Sequence, residues 1–200
     1  MALPTFELVT FSNVDELRAT LPIPDPLAHE LSGVGVPRDF LDGIYWANER
    51  LDLFRRSDGS RLIHFGTSRL WDPMMCVDPE TGHVVEIWDG SPAQMPSSAP
   101  EWIEGFVNSS LDHFRRSVEA VTNRFPFYSR EDGGLEIRTA ASEDVRSLVE
   151  AIDPPAAEPD QFWSTLADDI AIGDFETEAF IGVRFGSASE VGQVTFRDAE

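Results

Sequence analysis

Between residues 43 and 88, apolar residues come in short runs, at 43–46, 51–55, 61–66, 74–77 and 84–88, with turn residues between them. Runs of this length bounded by Gly, Pro, Asp and Ser predict strands. Ser57-Asp58-Gly59-Ser60 lies between the second and third runs, and an Asp-Gly pair in that position predicts a hairpin. Asp78-Pro79-Glu80-Thr81-Gly82 separates the last two. There Pro79 presets φ for the turn, and Gly82 can take the left-handed conformation of its exit. After residue 108 the rhythm changes. Leu111, Phe114, Val118 and Val121 recur at helical spacing on one stripe, which predicts an amphipathic helix. Asn108, Ser109 or Ser110 can cap it, and Ser109 with Asp112 fits the capping pattern. Arg115 and Arg116 lie off the stripe and are expected in solvent.

The flanks are helical. Asn13 is placed to cap a short helix bearing Val14, Leu17 and Leu21 on one face. Pro22, Pro24 and Pro26 then interrupt, and a helix restarts near 27–31. Composition shifts at 125–134, FPFYSREDGG. Beyond it, Val145, Leu148, Val149 and Ile152 predict a helix over 142–152. Phe162, Trp163, Leu166 and Ile170 predict another over 160–172, with Gly173 as its stop. Segments 179–185 and 193–196 read as a last pair of strands, and 89–100 as irregular. The expected fold class is α+β: a central, mostly antiparallel sheet flanked by helices. Residues 1–130 are its sheet-bearing core, and residues 131–200 an acidic helical extension packed on it, together one compact domain.

Charge narrows the choice of partners. The 200 residues carry 36 acids against 15 arginines and no lysine, a net −21. Residues 131–200 hold −13 of this. Such a surface opposes unassisted nucleic-acid binding, which requires cations on the protein. It either attracts a basic protein partner and steers its association or does no more than keep the protein soluble. No apolar run is long enough to span a bilayer, and MALPTFELVT lacks a basic segment followed by an apolar one. The expectation is a cytoplasmic protein that does not engage a membrane. Cys76, the single cysteine, lies inside an apolar run and is expected to be a buried core residue.

No pattern of chemistry emerges. His29, His64, His83 and His113 are scattered, and neither HExxH nor a Cys/His pairing is present. Asp168-Asp169 and Asp174-Glu176-Glu178 lack calcium-loop spacing. Gly33-Val34-Gly35 lacks the third glycine and the lysine of a phosphate loop. Helix capping accounts for Ser109 and Ser110 without a nucleophile elbow. These residues point to a binding protein without cofactor or metal, not to an enzyme. A carboxylate meeting His64 or His83 in a cleft would reopen the enzymatic reading.

The run from Gly35 to Phe40 with its Pro37, His64-Phe65-Gly66, Asp78 through Gly82, Asn108-Ser109-Ser110-Leu111 with Phe114, and Phe162-Trp163 through Phe175 together resemble the SUKH superfamily, most of all the SUKH-4 group of bacterial immunity proteins. The resemblance covers roughly residues 30–175. It implies an α+β fold and neutralisation of a polymorphic toxin, often a basic nuclease or nucleic-acid deaminase. It transfers no interface residues. The candidates for toxin contact therefore come from acidity and exposure: Asp89, Glu101, Trp102 and Glu104 around one loop, and Glu131, Asp132, Asp168, Asp169 and Asp174 beyond it. Trp163, at helical spacing, is read as core. The competing expectation is a scaffold of the same fold that binds a host protein without any toxin.

Overall fold

The structure is a computed structural model that describes residues 6–41, 43–68, 73–90, 102–129 and 133–175. The predicted strands at 179–185 and 193–196 lie outside the described residues. The chain opens with β1 (Leu8–Val9), α1 (Val14–Arg18) and α2 (Asp25–His29). The end of α2 widens into a π-type turn over Glu30–Val34, closed by the Gly35 N–H on the Glu30 carbonyl at 2.6 Å. Next come β2 (Val36–Pro37), β3 (Asp39–Phe40), β4 (Tyr45–Arg55), β5 (Arg61–Thr67), β6 (Met74–Val77), β7 (Val84–Asp89) and β8 (Trp102–Asn108). The helices α3 (Leu111–Thr122), α4 (Leu135–Ile152) and α5 (Phe162–Ile172) complete the described chain, with a short 3-10 turn over Pro154–Ala157.

Strands β3 to β8 form one six-stranded sheet in sequence order, and every neighbouring pair is antiparallel. β1 and β2 pair separately. The fold is α+β, as the periodicity predicts. Both predicted hairpin turns form. The Asp58 carboxylate accepts the Ser60 N–H at 2.8 Å, and Gly59 sits at φ 90°. The Asp78 carboxylate accepts the Glu80 N–H at 2.8 Å, and Gly82 sits at φ 79°. Register shifts between Ala47 and Asp52, and between Val84 and Val85, curl the sheet. The separate runs predicted at 43–46 and 51–55 are one strand, β4, because the irregularity is absorbed within it.

One sheet face packs on the helices. Tyr45, Ile63, Phe65, Met75, Val77 and Val107 share a continuous core with Leu111, Phe114, Val118 and Val121 of α3, Val145 and Val149 of α4, and Trp163 and Ile170 of α5. The helical stripe read from the sequence is therefore the buried face of α3. Trp163 is core, with its indole N–H on the Asn108 side chain at 3.0 Å. The opposite sheet face carries a smaller cluster of strand residues, Leu62, Cys76, Val85 and Ile87, with Phe54 and Met74 against it.

Several local expectations are corrected by contacts distant in sequence. Asn13 stands at the start of α1 but makes no capping bond. Its side-chain amide instead bonds both backbone groups of Leu51, at 2.9 and 3.2 Å, tying α1 to the sheet. Of the three caps that the sequence offers for α3, Ser110 serves, accepting the His113 N–H at 3.1 Å, while the Ser109 hydroxyl goes to Asp153 instead of the Ser109–Asp112 capping pattern. Arg115 is buried rather than solvated, and its guanidinium donates to the Gly35 carbonyl at 3.2 Å, with Glu30 and Asp112 beside it. α3 lies against the π-type turn and β2, which brings a second flank of the helix into contact. Finally, α4 begins seven residues before the predicted 142, since its first turns carry the exposed Leu135 and Ile137 and lack an apolar stripe.

Candidate binding surfaces

Side chains alternate across a strand, so β7 sends its residues to two different surfaces. Val85 and Ile87 join the smaller apolar cluster. Glu86 and Trp88 face the other way, into a cleft of about 430 Å³ between the sheet and α5. Phe162, Leu166 and Asp169 of α5 form its opposite wall, with Phe175 at its end. β8 crosses beside Glu86 at Gly105, where a methyl group would stand 2.9 Å from the Trp88 ring and 3.1 Å from Glu86 Oε1. The missing side chain at Gly105 makes room for both.

Within this cleft the carboxylates are perturbed. Burial pushes Glu86 up to about 7. No hydrogen bond or ion pair among the described residues answers that charge. Asp169 is also raised, first by burial and then by the neighbouring charges of Asp174 and Asp168. The two arginines of α4 that reach α5 are committed elsewhere. Arg146 holds Asp168 at 2.6 Å, and Arg138 donates to the Ile172 carbonyl at 2.9 Å.

The opposite face of the sheet carries the second surface. Trp102 opens β8 and stays 44 % exposed. The Phe54 ring meets the Trp102 ring edge-on at 5.1 Å. Next to them Arg56 grips Glu104 through two parallel bonds, 2.8 and 2.7 Å, and reaches Asp78 at 2.9 Å. Phe54, Arg56, Trp102 and Glu104 border a depression of about 140 Å³. Asp78 is held below the usual carboxylate range: its burial is outweighed by the bonds from Arg56 and the Glu80 N–H. Cys76 lies beneath, fully buried, and burial pushes its thiol up, so it is a core residue and not a nucleophile.

The sequence-derived candidates divide between these two surfaces. Trp102 and Glu104 stand together on the β8 face, with Glu104 already paired to Arg56. Asp89 ends β7 and is the register partner of Trp102. Asp168, Asp169 and Asp174 gather at the end of α5, and of these Asp169 lines the cleft. Glu101, Glu131 and Asp132 lie outside the described residues. Sequence reasoning missed Glu86, Phe54 and Arg56. The signal for Glu86 was present: in VVEIW it shares strand parity with Val84 and Trp88, which places a carboxylate on an otherwise apolar face.

Among the described residues, neither His64 nor His83 hydrogen-bonds a carboxylate, and His113 Nδ1 lies 3.7 Å from the Asp153 carboxylate. His64 Nε2 lies 2.8 Å from the Gly66 carbonyl and 3.2 Å from the Asn48 amide, and burial lowers its pKa. His83 stands edge-on to the Phe106 ring at 5.4 Å. Among the described residues, no three His, Cys, Asp or Glu side chains converge to hold a metal ion, and no helix is long and apolar enough to cross a membrane.

The segments that carried the resemblance are structural in this fold. His64-Phe65-Gly66 lies in the centre of β5, Asp78 to Gly82 is the β6–β7 turn, and Asn108 to Leu111 joins β8 to α3. No curated protein and no solved structure matches the chain. The SUKH-4 immunity protein family matches it over residues 7–169, from the start of the fold into α5. The chain therefore belongs to the SUKH-4 immunity protein family.

Proposed function

We propose that this chain neutralises a cognate toxin in the bacterial cytosol by binding it one to one, covering the toxin's active site or substrate groove without catalysis. Family membership supports the immunity role. Charge supports the kind of toxin: a basic protein that acts on nucleic acid, either a nuclease or a deaminase. Such an enzyme must carry cations for phosphate, and a partner at −21 is complementary to it. The observation that carries the reading is the pairing of surfaces on β7 and β8. One presents the exposed Trp102 ring against the half-buried Phe54, beside an Arg–Glu pair, and the other an apolar cleft in which no described residue neutralises Glu86. Buried-aromatic anchors ringed by charge are the usual centre of a tight interface.

The test is co-expression with the product of the adjacent gene. The expected result is rescue of growth and a one-to-one complex whose association slows at high salt. A neighbour that is not toxic, or a toxin that still kills without forming a complex, would refute the reading. Recovery of a host protein instead would favour a scaffold.

A further inference from the structure

We propose that the cleft between β7 and α5 receives one cationic side chain, an arginine or lysine presented by the partner protein. The inference rests on the immunity reading above for the source of that side chain. Its basis in the fold is separate. The cleft, at about 430 Å³, lies within the range of pockets that enclose organic ligands. Its walls are apolar and aromatic, with Trp88 and Phe162 on opposite sides. That suits the methylene stem of a basic residue, and the ring faces suit its charge. Glu86 projects into it from the sheet, held beside Trp88 across the bare backbone of Gly105.

An apolar ligand would leave that carboxylate desolvated and alone, which is costly. An anion would add repulsion. A cation with an apolar stem satisfies both walls and carboxylate together. The titratable side chains among the described residues of the lining are Glu86 and Asp169, with Asp174 and Asp168 acting on Asp169 from outside. All are acidic. Burial has already raised Glu86, so a bound cation draws its proton off, and affinity rises with pH through about 7.

The test measures dissociation constants of the full chain with the neighbouring toxin for wild type, Glu86→Gln and Glu158→Gln at pH 8 and pH 5.5. Glu158 is exposed outside the cleft and matches the change in charge. The expected result is a loss of tenfold or more for E86Q at pH 8, little difference from wild type at pH 5.5, and less than twofold for E158Q at either pH. Equal affinity of E86Q and wild type at pH 8 overturns the inference and leaves the immunity reading standing. If the neighbour does not bind wild type, that reading fails on its own, and agmatine, a guanidinium on an alkyl stem, tests the cleft directly. Saturable shifts of the Trp88 indole and Thr165 methyl resonances, lost in E86Q, support a cation site, whereas unmoved resonances refute it.

Discussion

Asp153, at the end of α4, holds Ser109, at the junction of β8 and α3. Its carboxylate accepts the Ser109 N–H at 2.7 Å and the Ser109 hydroxyl at 2.7 Å, and the Asn108 amide at 2.9 Å. The polar residues that the sequence offers as alternative caps of α3 are thus divided between two tasks. Ser110 caps the helix, and Asn108 and Ser109 anchor the later part of the chain to the sheet. Asp153→Ala strands these donors in a buried setting and is expected to cost about 2–4 kcal/mol. Ser110→Ala removes one cap bond and is expected to cost about 1 kcal/mol. Urea unfolding of the two variants checks the order, and equal losses would mean that Asp153 is not the anchor.

Glu86 and Asp153 predict opposite responses to acid. Asp153 is held below its ordinary value: burial would raise it, but the bonds from Ser109 and Asn108 outweigh that. Its contribution is complete above the unfolded pKa and disappears as pH falls through the lower folded one. Glu86 runs the other way, with a folded value of about 7 against an ordinary 4.5. Below 4.5 it is neutral in both states and contributes nothing. Above about 7 it is ionised in both, and the folded state bears the cost, about 3 kcal/mol. Glu86→Gln is therefore expected to be more stable than wild type at pH 8 and equal to it near pH 4.5. The difference between the two unfolding free energies, followed across that range, should rise with pH, and a flat difference would contradict it.

Gly66 and Gly82 separate close packing from turn geometry. A methyl group at Gly66 would run into the buried Tyr45 ring and lie 2.8 Å from the Trp46 carbonyl. Gly82 has φ 79° but nothing within 4 Å. Gly82→Ala is expected to cost about 1–2 kcal/mol of backbone strain, and Gly66→Ala more, since Tyr45 is wedged between Phe65 and Phe114. Comparison of denaturation midpoints decides it, and a milder effect at Gly66 would mean that the ring can move aside.

The tryptophans should part in the same way. Trp163→Ala empties a core position and is expected to cost about 3–5 kcal/mol of stability. Trp102→Ala removes an exposed ring and is expected to unfold at nearly the wild-type denaturant concentration while weakening toxin binding tenfold or more, about 1.4 kcal/mol. Calorimetry on the complex tests the second effect. Full affinity in W102A would move the interface away from the β8 face.

Strands, hairpin turns and the α3 stripe were legible because they follow from local rules: alternation, turn chemistry and a 3.6-residue period act over a few neighbours. Trp163 as core, Cys76 as buried thiol and Gly173, at φ 105°, as the α5 stop followed from the same rules. So did acidity, which needs only a count of charges. The polar side chains were not legible from spacing, since their partners lie far along the chain. Asn13 looks like a cap until Leu51 is seen beside it, Arg115 like a solvated residue until the Gly35 carbonyl is found above it, and Ser109 like a helix start until Asp153 arrives. Glu86 is the sharpest case. Strand parity assigns its face, but only the approach of α5 closes a cleft over that face, removes water from the carboxylate and turns an ordinary acid into one poised near neutrality.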